Sequence, residues 1–115
     1  MAARLTLALS FAALVALPVH AGDCLRNTNG YVVCGRGQCM MDPYGKMFCA
    51  REGGGAMREQ YGAVVCGIGY CAADDTGRIK CSTRPGGGAA MNAYGKVQCA
   101  DECHDASPRF CEEPR

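Results

Sequence analysis

Apolar positions in this chain fall into one long run and then into short, evenly spaced clusters. Leu5 to Leu17 is apolar apart from Thr6 and Ser10. Beyond it large apolar residues come singly or in pairs: Leu25, Val32-Val33, Met40-Met41, Met47-Phe48, Met57, Val64-Val65, Ile68, Ile79, Met91, Val97 and Phe110. Glycines and turn-formers separate them, the pattern of brief strands joined by tight turns.

The cysteines sharpen that pattern into a register. Nine residues separate Cys24 from Cys34, Cys39 from Cys49, and Cys71 from Cys81. In each case Asn or Asp (Asn27, Asp42, Asp74) lies three after the first cysteine and Gly (Gly30, Gly45, Gly77) six after. This spacing fits a type I turn closed by a glycine of positive φ. Counting outward from Asp42 opposite Lys46 pairs Met41 with Met47, Met40 with Phe48, and Cys39 with Cys49. The cysteines then meet at a non-hydrogen-bonded site, close enough for a bridge. The expected disulfides are Cys24–Cys34, Cys39–Cys49 and Cys71–Cys81. A shorter hairpin from Cys103 to Cys111, with Asp105 opposite Arg109, predicts a fourth.

Two more segments carry the hairpin signature with alanine for the first cysteine, Ala56 to Cys66 and Ala89 to Cys99. Their unpaired cysteines occupy equivalent places, which predicts a Cys66–Cys99 bridge. Ten cysteines allow roughly 945 pairings, and a bridge across the tight Cys34-Gly35-Arg36-Gly37-Gln38-Cys39 link competes with the hairpin scheme. Two triple-glycine runs divide the chain beyond the leader into tandem copies of one supersecondary unit. The division is 22–52 for unit one, 53–55 as a glycine linker, 56–85 for unit two, 86–88 as a second linker, and 89–115 for unit three. The expected fold is a small disulfide-rich all-β array of three two-hairpin units.

Residues 1–21 read as a signal peptide: Arg4 is the positive start, the Leu5–Leu17 run follows, and Val19-His20-Ala21 predicts cleavage after Ala21. The run is too short for a permanent membrane span, and no later segment is apolar enough for insertion of the mature chain. The product is expected to be exported, to the periplasm or outside the cell, where thiols oxidise.

Composition supports a stapled scaffold over an ordinary core. Residues 22–115 hold eight Leu, Ile and Val and two Phe among 94, against ten cysteines. Such a chain would be suspected of disorder if its thiols stayed reduced. Loss of Arg4 with the leader leaves eleven Lys and Arg against eleven Asp and Glu, and no one-signed stripe. Nucleic acid is therefore not an expected partner.

Candidate chemistry is sparse. No Cys-x-x-Cys occurs, so the zinc-knuckle, thioredoxin-type and haem-attachment signatures are all missing, and no metal or cofactor is expected. His104, beside Cys103, is the sole histidine past the leader, and Ser82 and Ser107 are the sole serines. Neither a nucleophile–base pair nor a carboxylate cluster stands out, so no catalytic residues are expected. Met40, Met41, Met47, Met57 and Met91 follow no ligand spacing and suit gap-filling around disulfides. Gly35-x-Gly37 and Gly67-x-Gly69 read as tight turns, not nucleotide loops. Tyr44, Tyr61 and Tyr94, each one residue before a turn glycine, are the candidate contact residues. The alternative is that their rings lean back onto a thin core.

The sequence thus points to an exported, non-catalytic binding or structural module, its partner an unknown protein or envelope component. A secreted inhibitor or toxin-like effector is one alternative, and a metal-binding or thiol-redox protein is another.

Overall fold

The computed structural model describes residues 22–114. The expected leader, and with it the cleavage point, lies outside the described residues. Twelve short strands form in order: β1 Cys24–Arg26, β2 Val32–Cys34, β3 Cys39–Met41, β4 Met47–Ala50, β5 Ala56–Arg58, β6 Val64–Cys66, β7 Cys71–Ala73, β8 Ile79–Ser82, β9 Ala89–Met91, β10 Val97–Cys99, β11 Cys103–Asp105 and β12 Cys111–Glu112. The first ten pair as five successive antiparallel hairpins. A 3₁₀ turn, Pro108–Phe110, precedes β12. The chain is a small, disulfide-rich, all-β protein.

Turn chemistry sets each hairpin. In the second, Cys39 faces Cys49, Met40 faces Phe48 and Met41 faces Met47. The Asp42 amide donates to the Lys46 carbonyl (2.8 Å), the Gly45 amide donates to the Asp42 carbonyl (3.1 Å), and Gly45 has φ +86°. Only glycine adopts that conformation at little cost. The same two bonds recur in the turns starting at Asn27, Glu59, Asp74 and Asn92.

The hairpins stack face on face. Because side chains alternate, each hairpin offers two faces, and both are used in the middle of the stack. Leu25 and Val33 of hairpin one pack on Cys39, Met47 and Cys49 of hairpin two. The reverse face of hairpin two, Met40 and Phe48, packs on Ala56, Val64 and Cys66 of hairpin three. Met57 and Val65, on the reverse of hairpin three, then meet Cys71, Ala73, Ile79 and Cys81 of hairpin four. Disulfides and small apolar side chains share each interface. This arrangement buries Cys49, Cys66 and Cys81 completely without one large core.

Glycines make the edge opposite the turns. The residue before each of the first four hairpins donates its amide to a glycine two before the next hairpin: Asp23 to Gly37, Gln38 to Gly54, Gly55 to Gly69, and Tyr70 to Gly87, at 2.8–3.1 Å. A Cβ at Gly37, Gly54 or Gly69 would lie 2.2–2.4 Å from a carbonyl oxygen of a neighbouring segment. The runs expected as linkers, 53–55 and 86–88, are therefore hydrogen-bonded stacking elements, with Gly54, Gly55 and Gly87 buried.

Three bridges close within hairpins, Cys24–Cys34, Cys39–Cys49 and Cys71–Cys81, with Cα–Cα distances of 3.9–4.0 Å. The remaining two correct the sequence reading. Cys66 joins Cys111, not Cys99, and Cys103 joins Cys99, not Cys111. A Cys66–Cys99 bridge fails because hairpin four lies between its partners. Two layer steps separate them, against a limit of about 7 Å between bridged Cα atoms. A Cys103–Cys111 hairpin fails because residues 96–115 contain no glycine to close its turn. Pro108 also holds Ser107 extended, at φ −154° and ψ 150°.

The C-terminal segment is instead a strap that runs back along the stack. Its β11 pairs with β8 of hairpin four, Ser107 bridges to Cys66 of hairpin three, and β12 pairs with β4 of hairpin two. Asp105 accordingly faces Lys80 (3.1 Å), not Arg109. At the far end, Arg36 grips Glu112 through two hydrogen bonds of 2.9 and 2.8 Å, and Lys46 meets Glu113 at 3.0 Å. The strap covers the second strands' open edges, which would otherwise invite pairing with other chains.

Candidate functional site: the turn edge

All five turns lie on one side of the stack, because each rests on the next. A Cβ on Gly45 would lie 2.9 Å from Thr28 Cγ2, one on Gly62 2.7 Å from Pro43 Cγ, one on Gly77 3.2 Å from Gln60 Oε1, and one on Gly95 2.3 Å from Asp75 Oδ2. The second turn residue of one hairpin thus seats on the closing glycine of the following one. The Asp75 amide adds a hydrogen bond to the Gly95 carbonyl (3.0 Å). The result is a continuous column of turns.

Four of the five turns are also braced by the side chain of their first residue, and the Glu59 turn, which carries Tyr61, is held by its two backbone bonds. Asp42 Oδ1 accepts from the Tyr44 and Lys46 amides at 2.9 and 2.8 Å. Asn92 does the same for Tyr94 and Lys96, and Asn27 for Asn29 and Tyr31. Asp74 accepts from the amides of Thr76 and Arg78 and also from the Thr76 hydroxyl. The Thr76 hydroxyl and then the Arg78 amide hold the Asp74 carboxyl below its ordinary value. These caps fix the backbone from which the third turn residue projects.

That third position holds Asn29, Tyr44, Tyr61, Thr76 and Tyr94. Tyr44, Tyr61 and Tyr94 are 93%, 85% and 84% exposed, so their rings do not lean onto the core. Tyr31 and Tyr70, outside this row, are 70% and 39% exposed. A second row, one residue beyond each glycine, carries Tyr31, Lys46, Ala63, Arg78 and Lys96. Tyrosine on a rigid backbone offers a broad amphipathic contact with few torsions to freeze.

The other candidate chemistry is structural in this fold. Every cysteine is in a disulfide. His104 Nε2 accepts the Ile68 amide at 3.0 Å, so the proton sits on Nδ1, which faces the Asp105 carbonyl at 2.9 Å. Both ring nitrogens are thereby engaged, and the ring packs edge-on against Phe110 at 4.9 Å. Met47 is buried beside Cys39–Cys49, and Met40, Met41 and Met57 fill gaps between layers. Among the described residues, no three His, Cys, Asp or Glu side chains converge as a metal site. No helix among them is long and apolar enough to cross a membrane. On the glycine edge, a groove of about 800 Å³ is lined by Arg36, Gln38, Glu52, Tyr70 and Pro85, but its guanidinium is committed to Glu112.

Sequence reasoning named the three tyrosines but not the column that aligns them. The signal was present in the repeated offset between the second turn residue and the closing glycine, yet only stacking gives that offset a meaning. In comparisons with protein families, curated proteins and solved structures, nothing matches this chain.

Proposed function

We propose that the protein is an exported, non-catalytic binding module whose contact surface is the turn edge, directed at envelope or extracellular material. The observation that carries this reading is the exposure of Tyr44, Tyr61 and Tyr94 on turns locked in register by Gly45, Gly62 and Gly95. A tyrosine this exposed, on a rigid scaffold held by five disulfides, contributes little buried area to the fold. It is preorganised for a partner, and so loses little entropy on binding. Five disulfides suit an oxidising compartment, whether periplasm or exterior.

The test places a photo-crosslinking residue at position 61 and, as a control, at Gln98 on the outer face of the last hairpin. Capture of envelope or extracellular material from position 61 alone supports the reading. Equal capture from both positions, or from position 98 only, overturns it.

A further inference from the structure

We propose that the turn edge binds a linear polysaccharide, its sugar rings seated on Tyr44, Tyr61 and Tyr94; this rests on the turn edge being the contact surface. Three features of the edge select this ligand class.

The first is periodicity. Each turn repeats the last in the way it meets its neighbour, because Thr28, Pro43, Gln60 and Asp75 each seat on the next turn's glycine. A row of like contacts along one line matches a polymer of like units better than it matches a globular surface.

The second is the kind of apolar surface. The large exposed apolar side chains at the third turn position are all tyrosines, 84–93% exposed. Hot spots for protein partners sit in pockets that neighbouring contacts keep dry. Tyr44 and Tyr94 stand in water, 93% and 84% exposed, and Tyr61, though it borders a cleft with Val65 and Ile79, is 85% exposed, so none sits in a dry pocket. A pyranose needs no such pocket: its axial C–H face lies on the electron-rich face of an aromatic ring while its hydroxyls stay hydrated or find polar neighbours.

The third is the hydrogen-bonding inventory. Thr28, Asn29 and Gln60 offer uncharged donors and acceptors along the tyrosine row, suited to hydroxyl and acetamido groups, and the Thr76 hydroxyl, its proton given to Asp74, offers an acceptor. Lys46 is drawn off to Glu113 (3.0 Å), while Lys96 stands in the adjoining row on the turn that carries Tyr94. The shared chemistry is therefore the pyranose chain itself. Neutral and carboxylated chains are separated by experiment.

The experiment titrates the full mature chain with chitohexaose and with hexagalacturonate, following tyrosine ring resonances by NMR and tyrosine fluorescence, which no tryptophan obscures. The matching disaccharides serve as controls. We expect selective shifts at Tyr44, Tyr61 and Tyr94, and about tenfold or greater tighter binding of the hexamer than of the disaccharide, since the hexamer alone spans several layers. Tyr44→Ala and Tyr61→Ala should each weaken binding about tenfold with the disulfide map unchanged. A tenfold loss on Lys96→Ala confined to hexagalacturonate identifies a carboxylated chain, and equal response to both hexamers identifies the bare pyranose chain. Absence of any tyrosine shift at millimolar glycan overturns the polysaccharide proposal, and crosslinking of a protein from position 61 would then leave the contact-edge reading standing. Glycan binding that survives replacement of all three tyrosines by alanine overturns both.

Discussion

A Cβ on Gly67 would lie 2.2 Å from Sγ of Cys81, and one on Gly35 would lie 2.4 Å from Sγ of Cys49. Both glycines follow the last cysteine of a hairpin and face the next hairpin's disulfide. At the two equivalent places where the next hairpin begins with alanine instead, the residue is Ala50 or Ser82, each fully buried. Glycine before a bridge and a larger residue before an alanine form a size code between layers. We expect Gly67→Ala to destabilise by about 1–3 kcal/mol through overpacking. Ala50→Gly should cost about 1 kcal/mol or more by opening space above Ala56 and Cys66. Urea denaturation with intact disulfides measures both. A neutral Gly67→Ala would refute the code.

The strap and the hairpins should respond differently to loss of a bridge. Cys66 and Cys111 are 45 residues apart, whereas Cys99 and Cys103 are 4 apart. On the chain-entropy account, removing the first costs about 4 kcal/mol and removing the second about 2 kcal/mol. The paired variants Cys66→Ala/Cys111→Ala and Cys99→Ala/Cys103→Ala, unfolded side by side in urea, provide the comparison. We also expect limiting reductant to open Cys24–Cys34 first, because both residues are exposed on the outer face of the first hairpin while Cys49, Cys66 and Cys81 are fully buried. Timed alkylation and peptide mapping read the order.

What was legible in the sequence was everything local. Turn spacing from Asp42 to Gly45 dictates the ladder that sets Cys39 opposite Cys49, and the same count sets Cys71 opposite Cys81. The misread bridges were those that depend on how hairpins are arranged in space. Cys66 and Cys99 look equivalent along the chain but face different layers. The tail's departure had a local sign, since no glycine follows Gly95 to close another turn. The alignment of Tyr44, Tyr61 and Tyr94 was likewise hidden, because the step between hairpins belongs to packing and not to any one repeat.

The Asp74 turn should be acid-labile in a defined direction. Hydrogen bonds from the Thr76 hydroxyl and then the Arg78 amide depress its folded value below the ordinary 3.8. A depressed carboxylate contributes stability that is present above its unfolded value and lost as pH falls through the folded one. We therefore expect the Thr76 and Arg78 amides to keep their protection from neutral pH down to 3.8 and to lose it as the pH falls further and the carboxylate is protonated. Asp74→Asn should keep the turn, as Asn27 and Asn92 do in theirs, and should abolish that pH dependence. Amide exchange of the two variants across pH distinguishes these outcomes.

His104 fastens the strap to the link between hairpins three and four, and its role there fixes its tautomer. Because Nε2 accepts the Ile68 amide at 3.0 Å, the ring proton in this contact sits on Nδ1, toward the Asp105 carbonyl. Nitrogen chemical shifts should show a protonated Nδ1 and a bare Nε2; the reverse pattern would exclude this contact in solution. His104→Phe keeps the edge packing on Phe110 while deleting both hydrogen bonds. The Ile68 amide then has no acceptor, at a cost of about 1 kcal/mol, with faster exchange at Ile68. Exchange at Cys49 and Met47, in the layer that pairs with β12 at the far end of the strap, should stay unchanged. A uniform rise across all layers would mean instead that His104 supports the whole stack, not one link of it.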